Sequence, residues 1–497
     1  MGACYGTATY GEENTLSVII DREEPIEMLT RLSSGGERNL ALVYGRRRVG
    51  KTYLLTHLWD PEEAFYFTAS ATSPEINRRT LISEAARWTG EDLRPEDHPT
   101  WRTVFRTLLE LAPDRNLVVV LDEVQYLAGD EAGLAEVASE LNAVWESRLN
   151  RSGGALLVLS GSSVRTLEAL QKGGSPLYGR LDAALRLRPF DYVDAGSMVP
   201  SYSLTDRVRM YAAFGGVPMY LASIDAEAAL DRNIVDLLLS PSGKVRLQLE
   251  TVLTQEEGLR EHAKYQGILT SVGIKRRELG EIASGLGEEI GTPLRKMVRR
   301  LVDLEILEMV QDFGEPRNQG LRYRIADPAL RMYYGLILPN ESAIATAGAE
   351  RVWNERLRTQ AFPAYVGQHV FEDVVEQAYG RHAEERDLPG VVEWGRWAGR
   401  DRERRDIEID VVARLLDGRV LTGSAKMRRR AADATVLLDH LAALHRLADS
   451  GRPWAREALE PDAPLFFVST SGFADSFQSA VEDLDQPVIR WTMEDLW

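Results

Sequence analysis

Residues 45–52 combine two glycines, a lysine and a threonine at a spacing suited to holding a phosphate group. The segment reads Gly-Arg-Arg-Arg-Val-Gly-Lys-Thr and follows the apolar run Leu40–Tyr44. Glycines let the backbone curl so that successive N–H groups point at anionic oxygens, and a helix starting there adds the positive end of its dipole. Lys51 is then expected to reach the β- and γ-phosphates of a nucleotide, and Thr52 to bind Mg²⁺.

A second chemical signal is a pair of acidic residues at the end of an apolar run. Leu117–Leu121 is followed directly by Asp122 and Glu123. In phosphoryl-transfer sites one acidic group holds the metal ion and another group orients the attacking water. We therefore expect Asp122 to bind Mg²⁺ and Glu123 to be catalytic by polarising water.

Two further catalytic candidates follow the apolar run at residues 155–159. Ser162, or as the second choice Ser160, would contact the γ-phosphate or the attacking water, with an ordinary helix cap as the alternative interpretation. Arg180 lies in a glycine-containing turn. It is expected to sense the γ-phosphate, and the alternative is a surface or salt-bridged arginine.

Short apolar runs alternate with helical periodicity through the first 190 residues. This pattern is typical of an α/β fold with a parallel sheet covered on both faces. Helices broken by Gly-Gly-Val-Pro follow from residue 205, and then three helices and two short strands (307–311 and 321–325) in an order that suits a winged helix. A second α/β pattern begins near residue 350. The predicted divisions are a lead-in at 1–18, a P-loop core at 19–195, a helical lid at 196–264, a winged helix at 265–340 and a smaller α/β domain at 350–497.

Composition excludes several classes of protein. The chain has 497 residues and a net charge of −17, so it is not expected to coat nucleic acid non-specifically. Its one cysteine, Cys4, excludes internal disulfides and a cysteine-rich zinc site. An apolar stretch of 18 residues and a secretory signal pattern are both lacking, which predicts a cytoplasmic protein with no membrane partner.

Five motifs occur together in an order that resembles the archaeal-type ATPase family. They are Asp21-Arg22-Glu23, residues 44–52, Leu121-Asp122-Glu123, Ser160-Gly161-Ser162-Ser163 and Phe214-Gly215-Gly216-Val217-Pro218. That family belongs to the signal-transducing P-loop NTPases with numerous domains (STAND), close to the AAA+ group, and the resemblance covers about residues 18–340.

The resemblance implies an ATP-dependent conformational switch that uses ATP and Mg²⁺. It implies that Pro218 neighbours the nucleotide and that Asp21 and Arg22 lie near the adenine, whereas the residues alone show only that Gly-Gly-Val-Pro breaks a helix. The expected nucleotide contacts in the loop are Gly45, Arg46, Arg47, Arg48, Val49, Gly50, Lys51, Thr52 and Tyr53. The three arginine side chains are interpreted mainly as solvated or subunit-facing charges.

The last third of the chain resembles a restriction-endonuclease-like module. Such a fold needs a carboxylate at one strand end and Glu-x-Lys on the next strand. Asp410 and Lys426 fit, but Ser424 occupies the glutamate position, and a hydroxyl is a poor ligand for a hard divalent cation. Glu372 or Glu393 would have to supply the missing oxygen. A degenerate, non-cleaving module is therefore the favoured interpretation.

The sequence is compatible with nucleic-acid partners and with protein partners. A predicted recognition helix at 292–303 carries Arg295, Lys296, Arg299 and Arg300, yet residues 272–325 have a net charge of only +1. Residues 396–430 have a net charge of +5, with Trp394 and Trp397 nearby for stacking. The favoured function is a switch ATPase that binds ATP and ADP, within a homo-oligomer or with a protein partner. The alternatives are an ATP-gated nucleic-acid-processing effector and a winged-helix DNA-binding regulator.

Overall fold

The computed structural model describes residues 20–111, 116–148, 154–256, 259, 261–316 and 319–497. The predicted lead-in at 1–18, with Cys4, lies outside the described residues. The chain forms two compact units that divide between Phe190 and Asp191. The predicted boundaries within the second unit stay predictions.

The first unit is built on a five-stranded parallel sheet. The strands are β1 (Arg38–Tyr44), β2 (Ala64–Thr68), β3 (Leu117–Asp122), β4 (Ala155–Gly161) and β5 (Ala183–Arg186). Their order across the sheet is β2-β3-β4-β1-β5, and every pairing is parallel. All five carboxyl ends therefore meet at one edge, where the phosphate-loop and acidic motifs both begin.

Helices cover both faces of this sheet, as the sequence predicts. They are α1 (Glu23–Ser34), α2 (Lys51–His57), α3 (Pro74–Thr89), α4 (Trp101–Leu108), α5 (Glu131–Arg148) and α6 (Val164–Ala169), with 3₁₀ turns at Pro95–Asp97 and Val124–Leu127. Alternate residues of one strand enter different cores: Leu40 and Leu42 pack with α3, α4 and α5, whereas Ala41 and Val43 pack with α1 and α2. Two-sided burial explains the continuous apolar runs.

The second unit begins with short helices. These are α7 (Tyr192–Ser197), α8 (Leu204–Phe214), α9 (Pro218–Leu221), α10 (Leu230–Asn233) and α11 (Lys244–Glu250), with a π-helical turn at Ile234–Leu239. Gly215 separates α8 from α9 with φ of 66°, a conformation that favours glycine. Pro218 starts α9 at the first helical position, where its missing N–H costs nothing.

A three-stranded antiparallel sheet with three helices follows. The elements are α12 (His262–Val272), β6 (Arg277–Glu278), α13 (Leu279–Leu286), α14 (Thr292–Asp303), β7 (Leu307–Val310) and β8 (Arg322–Ile325), with strand order β6-β8-β7. The sequence indicates this order apart from the two-residue β6, which is too short to leave a hydropathy pattern. The assignment as a winged helix stays a prediction.

Helical segments lead from there to a second sheet. They are α15 (Pro328–Met332), α16 (Glu341–Ala347), α17 (Ala349–Val352), α18 (Phe362–Tyr365) and α19 (Phe371–His382). π-Helical turns at Tyr333–Ile337, Trp353–Ala361 and Val366–Val370, and a 3₁₀ turn at Leu338–Asn340, lie between them.

The last part of the second unit contains a five-stranded mixed sheet. Its strands are β9 (Val391–Arg400), β10 (Asp406–Leu415), β11 (Val420–Lys426), β12 (Leu465–Ser469) and β13 (Val488–Trp491), in the order β13-β12-β11-β10-β9. Helices α20 (Ala434–Asp449), α21 (Pro453–Glu457) and α22 (Asp475–Glu482) complete it, with a 3₁₀ turn at Glu494–Leu496. The α/β fold class predicted for both parts of the chain is confirmed.

The two ends of the second unit contact each other. The Tyr192 hydroxyl in α7 donates a hydrogen bond to the Leu496 carbonyl, and the rings of Tyr192 and Trp497 meet edge to face at 5.0 Å. A Cβ on Gly196 would lie 2.5 Å from the Trp497 ring, so only glycine fits there. The last residues of this unit thus pack against α7, its first helix.

Among the residues described, no helix has both the length and the apolar character needed to cross a bilayer.

Candidate functional site

The loop between β1 and α2 holds the shape that its glycines allow. Gly50 caps α2 with φ of 93°, in the left-handed region that glycine tolerates. A Cβ on Gly45 would lie 2.1 Å from the Leu187 carbonyl oxygen, so any side chain there would push β5 away. The loop is therefore fixed from both ends, and its amides precede a helix N-terminus.

Lys51 lies inside this loop. Its side chain is buried, and Nζ donates hydrogen bonds to the carbonyl oxygens of Gly45 at 2.8 Å and Arg46 at 3.0 Å. An ammonium carries three donors and no acceptor, so it satisfies carbonyls or phosphate oxygens equally well. The geometry places a positive charge within the curl of the loop.

Thr52 and Asp122 are brought together at the strand ends. The Thr52 hydroxyl donates to Oδ2 of Asp122 at 2.8 Å, and the Tyr66 hydroxyl on the neighbouring strand β2 donates to the same oxygen at 2.5 Å. Burial raises the pKa of the Tyr66 phenol, and the charge of Asp122 raises it further. Tyr66 consequently stays a donor across the physiological pH range.

The donor set at this point fits Mg²⁺. A hydroxyl oxygen and a carboxylate oxygen within hydrogen-bond distance are the ligand types that this hard cation accepts, directly or through its waters. Thr52 and Asp122 would hold the ion, which when bound neutralises charge on phosphate oxygens.

Glu123 and Ser162 also meet. Glu123 follows β3 in a left-handed conformation, with φ of 54°. Its Oε2 accepts hydrogen bonds from the Ser162 hydroxyl at 2.8 Å and the Ser162 amide at 3.2 Å. The Gln125 amide donates to the same oxygen. Ser160, the alternative serine, is fully buried within β4 instead.

Arg22 contacts the backbone of the loop through hydrogen bonds. Its guanidinium donates to the carbonyl oxygens of Val49 at 3.1 Å and Arg188 at 2.8 Å, pairs with Asp21 and stacks over the Phe190 ring at 4.9 Å. The Arg22 side chain is 7% exposed. The structure thus gives Arg22 contacts with the loop backbone, while the expected proximity of Asp21 and Arg22 to adenine stays a prediction.

The other loop side chains point in different directions. Arg47 donates to the Tyr126 hydroxyl at 2.8 Å, Arg48 has a left-handed backbone with φ of 71°, and Val49 is buried. Tyr53 is 43% exposed and stacks on His57 at 4.1 Å between ring centroids. Their predicted contacts with a nucleotide would come mainly from backbone amides.

Arg180 is not brought to the phosphate loop of its own chain. It precedes β5, so it lies at the amino edge of the parallel sheet, opposite the loop. There its guanidinium pairs with Glu146 and donates to Asn142 at 3.3 Å, both on α5. The structure corresponds to the alternative interpretation, a salt-bridged arginine at the surface. Pro218 belongs to the second unit, and its nucleotide contact stays a prediction.

A separate cluster of carboxylates lies in the second unit. Oxygens of Glu372, Glu408 and Asp410 lie within 4.8 Å of one another. Asp410 accepts hydrogen bonds from Lys426 Nζ at 2.7 Å and from the Ser424 hydroxyl at 2.9 Å. Although burial opposes it, the charge of Asp410 raises the pKa of Lys426. The cluster thus contains Glu372, one of the two substitutes that the sequence suggests, but not Glu393. That residue lies further along β9, in register with Arg414 of β10.

Arginines surround the same carboxylates. The Arg396 Nη1 atom lies 3.2 Å from a Glu372 carboxylate oxygen and 3.3 Å from one of Glu408, and the Arg276 guanidinium lies 3.3 Å from Glu372. Burial raises the pKa of the Glu372 carboxyl, and the two guanidinium groups oppose that rise. The negative charge that a metal ion would need is therefore already neutralised by the chain's own cations.

Comparison with known proteins locates the family. Residues 19–224 match the family model of an ATPase domain predominantly from Archaea. This segment is therefore similar to the ATPase domains of that family. The ATPase domain thus includes the loop, both acidic residues and Ser162, and the prediction of an ATP-hydrolysing P-loop enzyme is confirmed. The resemblance of the C-terminal part to an endonuclease stays a prediction.

The chain is also similar to individual proteins. An uncharacterized protein of Methanocaldococcus jannaschii is 24% identical over 405 residues, which is 80% of this chain and 84% of the relative. The Walker-type ATPase of Pyrococcus abyssi is 21% identical, with a TM-score of 0.46 over 64% of this chain and 96% of that one. The Aeropyrum pernix ORC2 protein, solved as ADPNP–ADP complexes, is 16% identical, with a TM-score of 0.43 over 67% and 98%.

Sequence reasoning missed two residues beside the ATPase motifs. Tyr66 contacts Asp122, and Gln125 contacts Glu123. Tyr66 is a polar-tipped aromatic in an otherwise apolar strand, and Gln125 is a polar residue in a half-buried turn two positions after the acid. Those positions were the available signals, but only the strand order shows where each side chain points.

Proposed function

We propose that the chain is an Mg²⁺-dependent switch ATPase, in which the nucleotide state controls the packing of the winged-helix and C-terminal parts of an oligomer. The observation that carries the proposal is the grouping of Lys51, Thr52, Asp122, Glu123 and Ser162 at one sheet edge. Lys51 and the loop amides bind phosphate oxygens. Glu123 orients and polarises the water, and Ser162 lies next to its carboxylate.

Ion pairs inside the second unit support a coupled response. Asp373 in α19 pairs with Arg324 of β8 at 2.6 Å and with Arg331 of α15 at 3.1 Å. These cations lower the pKa of Asp373 to about 2 against the effect of burial. Breaking a buried pair by removing one partner costs about 3–5 kcal/mol. We therefore propose that the winged-helix elements and α19 move as one body when the nucleotide changes.

ATP hydrolysis by three variants tests the enzymatic part. Lys51→Ala should lose nucleotide affinity, and Glu123→Gln should keep affinity but lose turnover by about 10²-fold or more. Lys172→Ala, an exposed lysine after α6, is the matched control and should behave as the parent protein. Hydrolysis at the parental rate in Glu123→Gln would refute the role of that residue.

Hydrogen exchange tests the switch. Amides of α14 and α19 should change their protection together when a non-hydrolysable ATP analogue is added, and Lys51→Ala should abolish the change. Unchanged protection across residues 262–497 at saturating nucleotide would contradict a switch while leaving the ATPase activity in place.

One surface observation favours DNA binding as a second function. Arg295, Lys296 and Arg299 are exposed on α14, whose opposite face is buried through Leu294 and Val298. No ion pair of these three cations occurs in the described parts of the chain. If α14 contacts phosphates, neutralising the three should reduce the salt slope of DNA affinity by about 0.9 per lost contact. Arg351→Gln, at an exposed arginine paired with Glu355, is the control.

We further propose that the endonuclease-like module does not cleave nucleic acid. Ser424 stands where the fold needs a carboxylate. The remaining carboxylates are already paired with cations: Glu372 with Arg396 and Arg276, and Asp410 with Lys426. Mg²⁺-dependent cleavage that disappears in Asp410→Ala would overturn this proposal.

A further inference from the structure

Gln125 lies beside the proposed catalytic glutamate. It belongs to the 3₁₀ turn Val124–Leu127 that follows Glu123, and the turn closes through a hydrogen bond from the Tyr126 amide to the Glu123 carbonyl at 2.9 Å. The Gln125 Nε2 group donates to Glu123 Oε2 and lies 3.3 Å from the Ser162 hydroxyl oxygen. Gln125 therefore bridges the acid after β3 and the serine after β4.

The hydrogen bonds on Glu123 are unevenly shared between its two oxygens. Oε2 accepts three: from Gln125 Nε2, from the Ser162 hydroxyl and from the Ser162 amide. Within the described residues no hydrogen bond reaches Oε1. A carboxylate fixed through one oxygen keeps the other oriented and available as a hydrogen-bond acceptor.

The orientation of Gln125 is itself set by its neighbours. Its Oε1 is buried and lacks a hydrogen-bond partner among the described residues. A Cβ on Gly161 would lie 2.3 Å from that oxygen, so glycine at 161 makes room for the amide. Turning the amide over would place its oxygen against the Glu123 carboxylate, where two acceptors repel. The amide is thus held with its donor toward Glu123 even though its oxygen goes unpaired.

We infer that Gln125 is a positioning residue for ATP hydrolysis, which together with Ser162 fixes the Glu123 carboxylate so that Oε1 faces the attacking water. The inference rests on the proposed role of Glu123. It also assigns Gly161 the task of accommodating the Gln125 side chain. Neither residue needs to touch the nucleotide, so their loss should affect turnover rather than binding.

Steady-state kinetics of Gln125→Ala test this role. Turnover should fall by about 10- to 100-fold, because an unrestrained general base is less well placed. The KM for ATP and the melting temperature should stay close to those of the parent. A parental turnover number, or a rise in KM together with a lower melting temperature, would overturn the inference, because the latter result indicates a structural role.

The pH dependence of Gln125→Glu gives a second readout that a structural role would not change. This variant keeps the side-chain length but places a carboxylate against Glu123, and two adjacent carboxylates are not both ionised without cost. The acidic limb of the pH–rate profile should move to higher pH. An unshifted limb would contradict direct contact between the two side chains during catalysis.

Gly161→Ala completes the design. Its effect on turnover should not add to that of Gln125→Ala in the double variant, because both changes disrupt the same contact. Full additivity would argue against the assignment for Gly161. If Glu123→Gln hydrolyses ATP normally, the proposed role of Glu123 itself fails. If Glu123→Gln is inactive while Gln125→Ala is fully active, only the role of Gln125 fails.

Discussion

The Thr52 hydroxyl and the Asp122 carboxylate lie 2.8 Å apart although the two residues are 70 positions apart in the chain. The contact joins the helix after β1 to the end of β3, two strands that are separated in the sheet by β4. Strand order thus brings together the two oxygen atoms that we propose as Mg²⁺ ligands, from segments that are far apart in the sequence.

Asp122→Asn should remove most of the Mg²⁺ dependence of ATP binding. The substitution keeps the size of the side chain but removes the anionic charge that a divalent cation requires. ATP affinity measured with Mg²⁺ and with a chelator should become similar. Asp60→Asn, at an exposed aspartate in the same unit, is the control and should keep the parental difference. A full Mg²⁺ effect in Asp122→Asn would place the ion elsewhere.

Arg22→Ala should destabilise the loop at residues 45–52, although Arg22 itself lies outside that loop. The change leaves the Val49 and Arg188 carbonyl oxygens without their donor, and losing such charged hydrogen bonds costs about 2 kcal/mol. We expect a lower unfolding free energy in urea and weaker ATP binding. Arg31→Ala on the exposed side of α1 is the matched control. Equal stability of the two variants would show that the Arg22 contacts contribute little.

Gly45→Ala should prevent nucleotide binding through a steric effect. The new Cβ would overlap the Leu187 carbonyl oxygen, and β5 or the loop would have to move. Overpacking of this kind typically costs about 1–3 kcal/mol. Gly173→Ala provides a matched control, since a Cβ there meets no atom within 4 Å. Both variants are compared by thermal unfolding and by ATP titration, and normal binding by Gly45→Ala would refute the clash.

His440 should make stability depend on pH between about 4 and 6.5. Burial lowers the pKa of His440 to about 4, whereas an unfolded histidine titrates near 6.5. The unfolded chain therefore binds the extra proton within this window, and the unfolding free energy should fall by about 3 kcal/mol as the pH drops from 6.5 to 4. At pH 7 and above the contribution is constant.

Two histidines on α20 allow a direct comparison. His440 is buried and its ring nitrogen lies 3.0 Å from the Thr422 hydroxyl, whereas His445 is exposed. Urea unfolding at pH 7 and pH 5 should show a smaller pH effect in His440→Gln than in the parent, and the parental effect in His445→Gln. Parallel curves for all three proteins would remove His440 as the cause.

The conformation of the glycine loop and the position of the acidic pair could be predicted because their signals are local. Gly45 and Gly50 allow the backbone to turn between β1 and α2. Asp122 and Glu123 stand at the end of a buried strand, so each pattern depends only on the residues beside it in the sequence. Strands β1, β3 and β4 likewise appear as apolar runs because both of their faces are buried.

The misplaced and missed residues all depend on long-range packing. Arg180 lies at the far edge of the sheet because β5 begins three residues later and runs parallel to β1. Tyr66 contacts a residue at the end of a neighbouring strand, and Gln125 lies in an irregular turn. Strands β5, β6 and β13 are two to four residues long and are not predicted from the sequence.

The contact between Tyr192 and the Leu496 carbonyl spans 304 positions of the chain. All five strands of the first sheet are synthesised by Arg186, so that unit has everything it needs to fold early during translation. Helix α7 emerges from the ribosome immediately afterwards but acquires its aromatic partner only when Trp497 arrives. The nascent second unit therefore spends most of its synthesis without the contact between α7 and Trp497, and a contact between residues so far apart in the sequence should slow its folding.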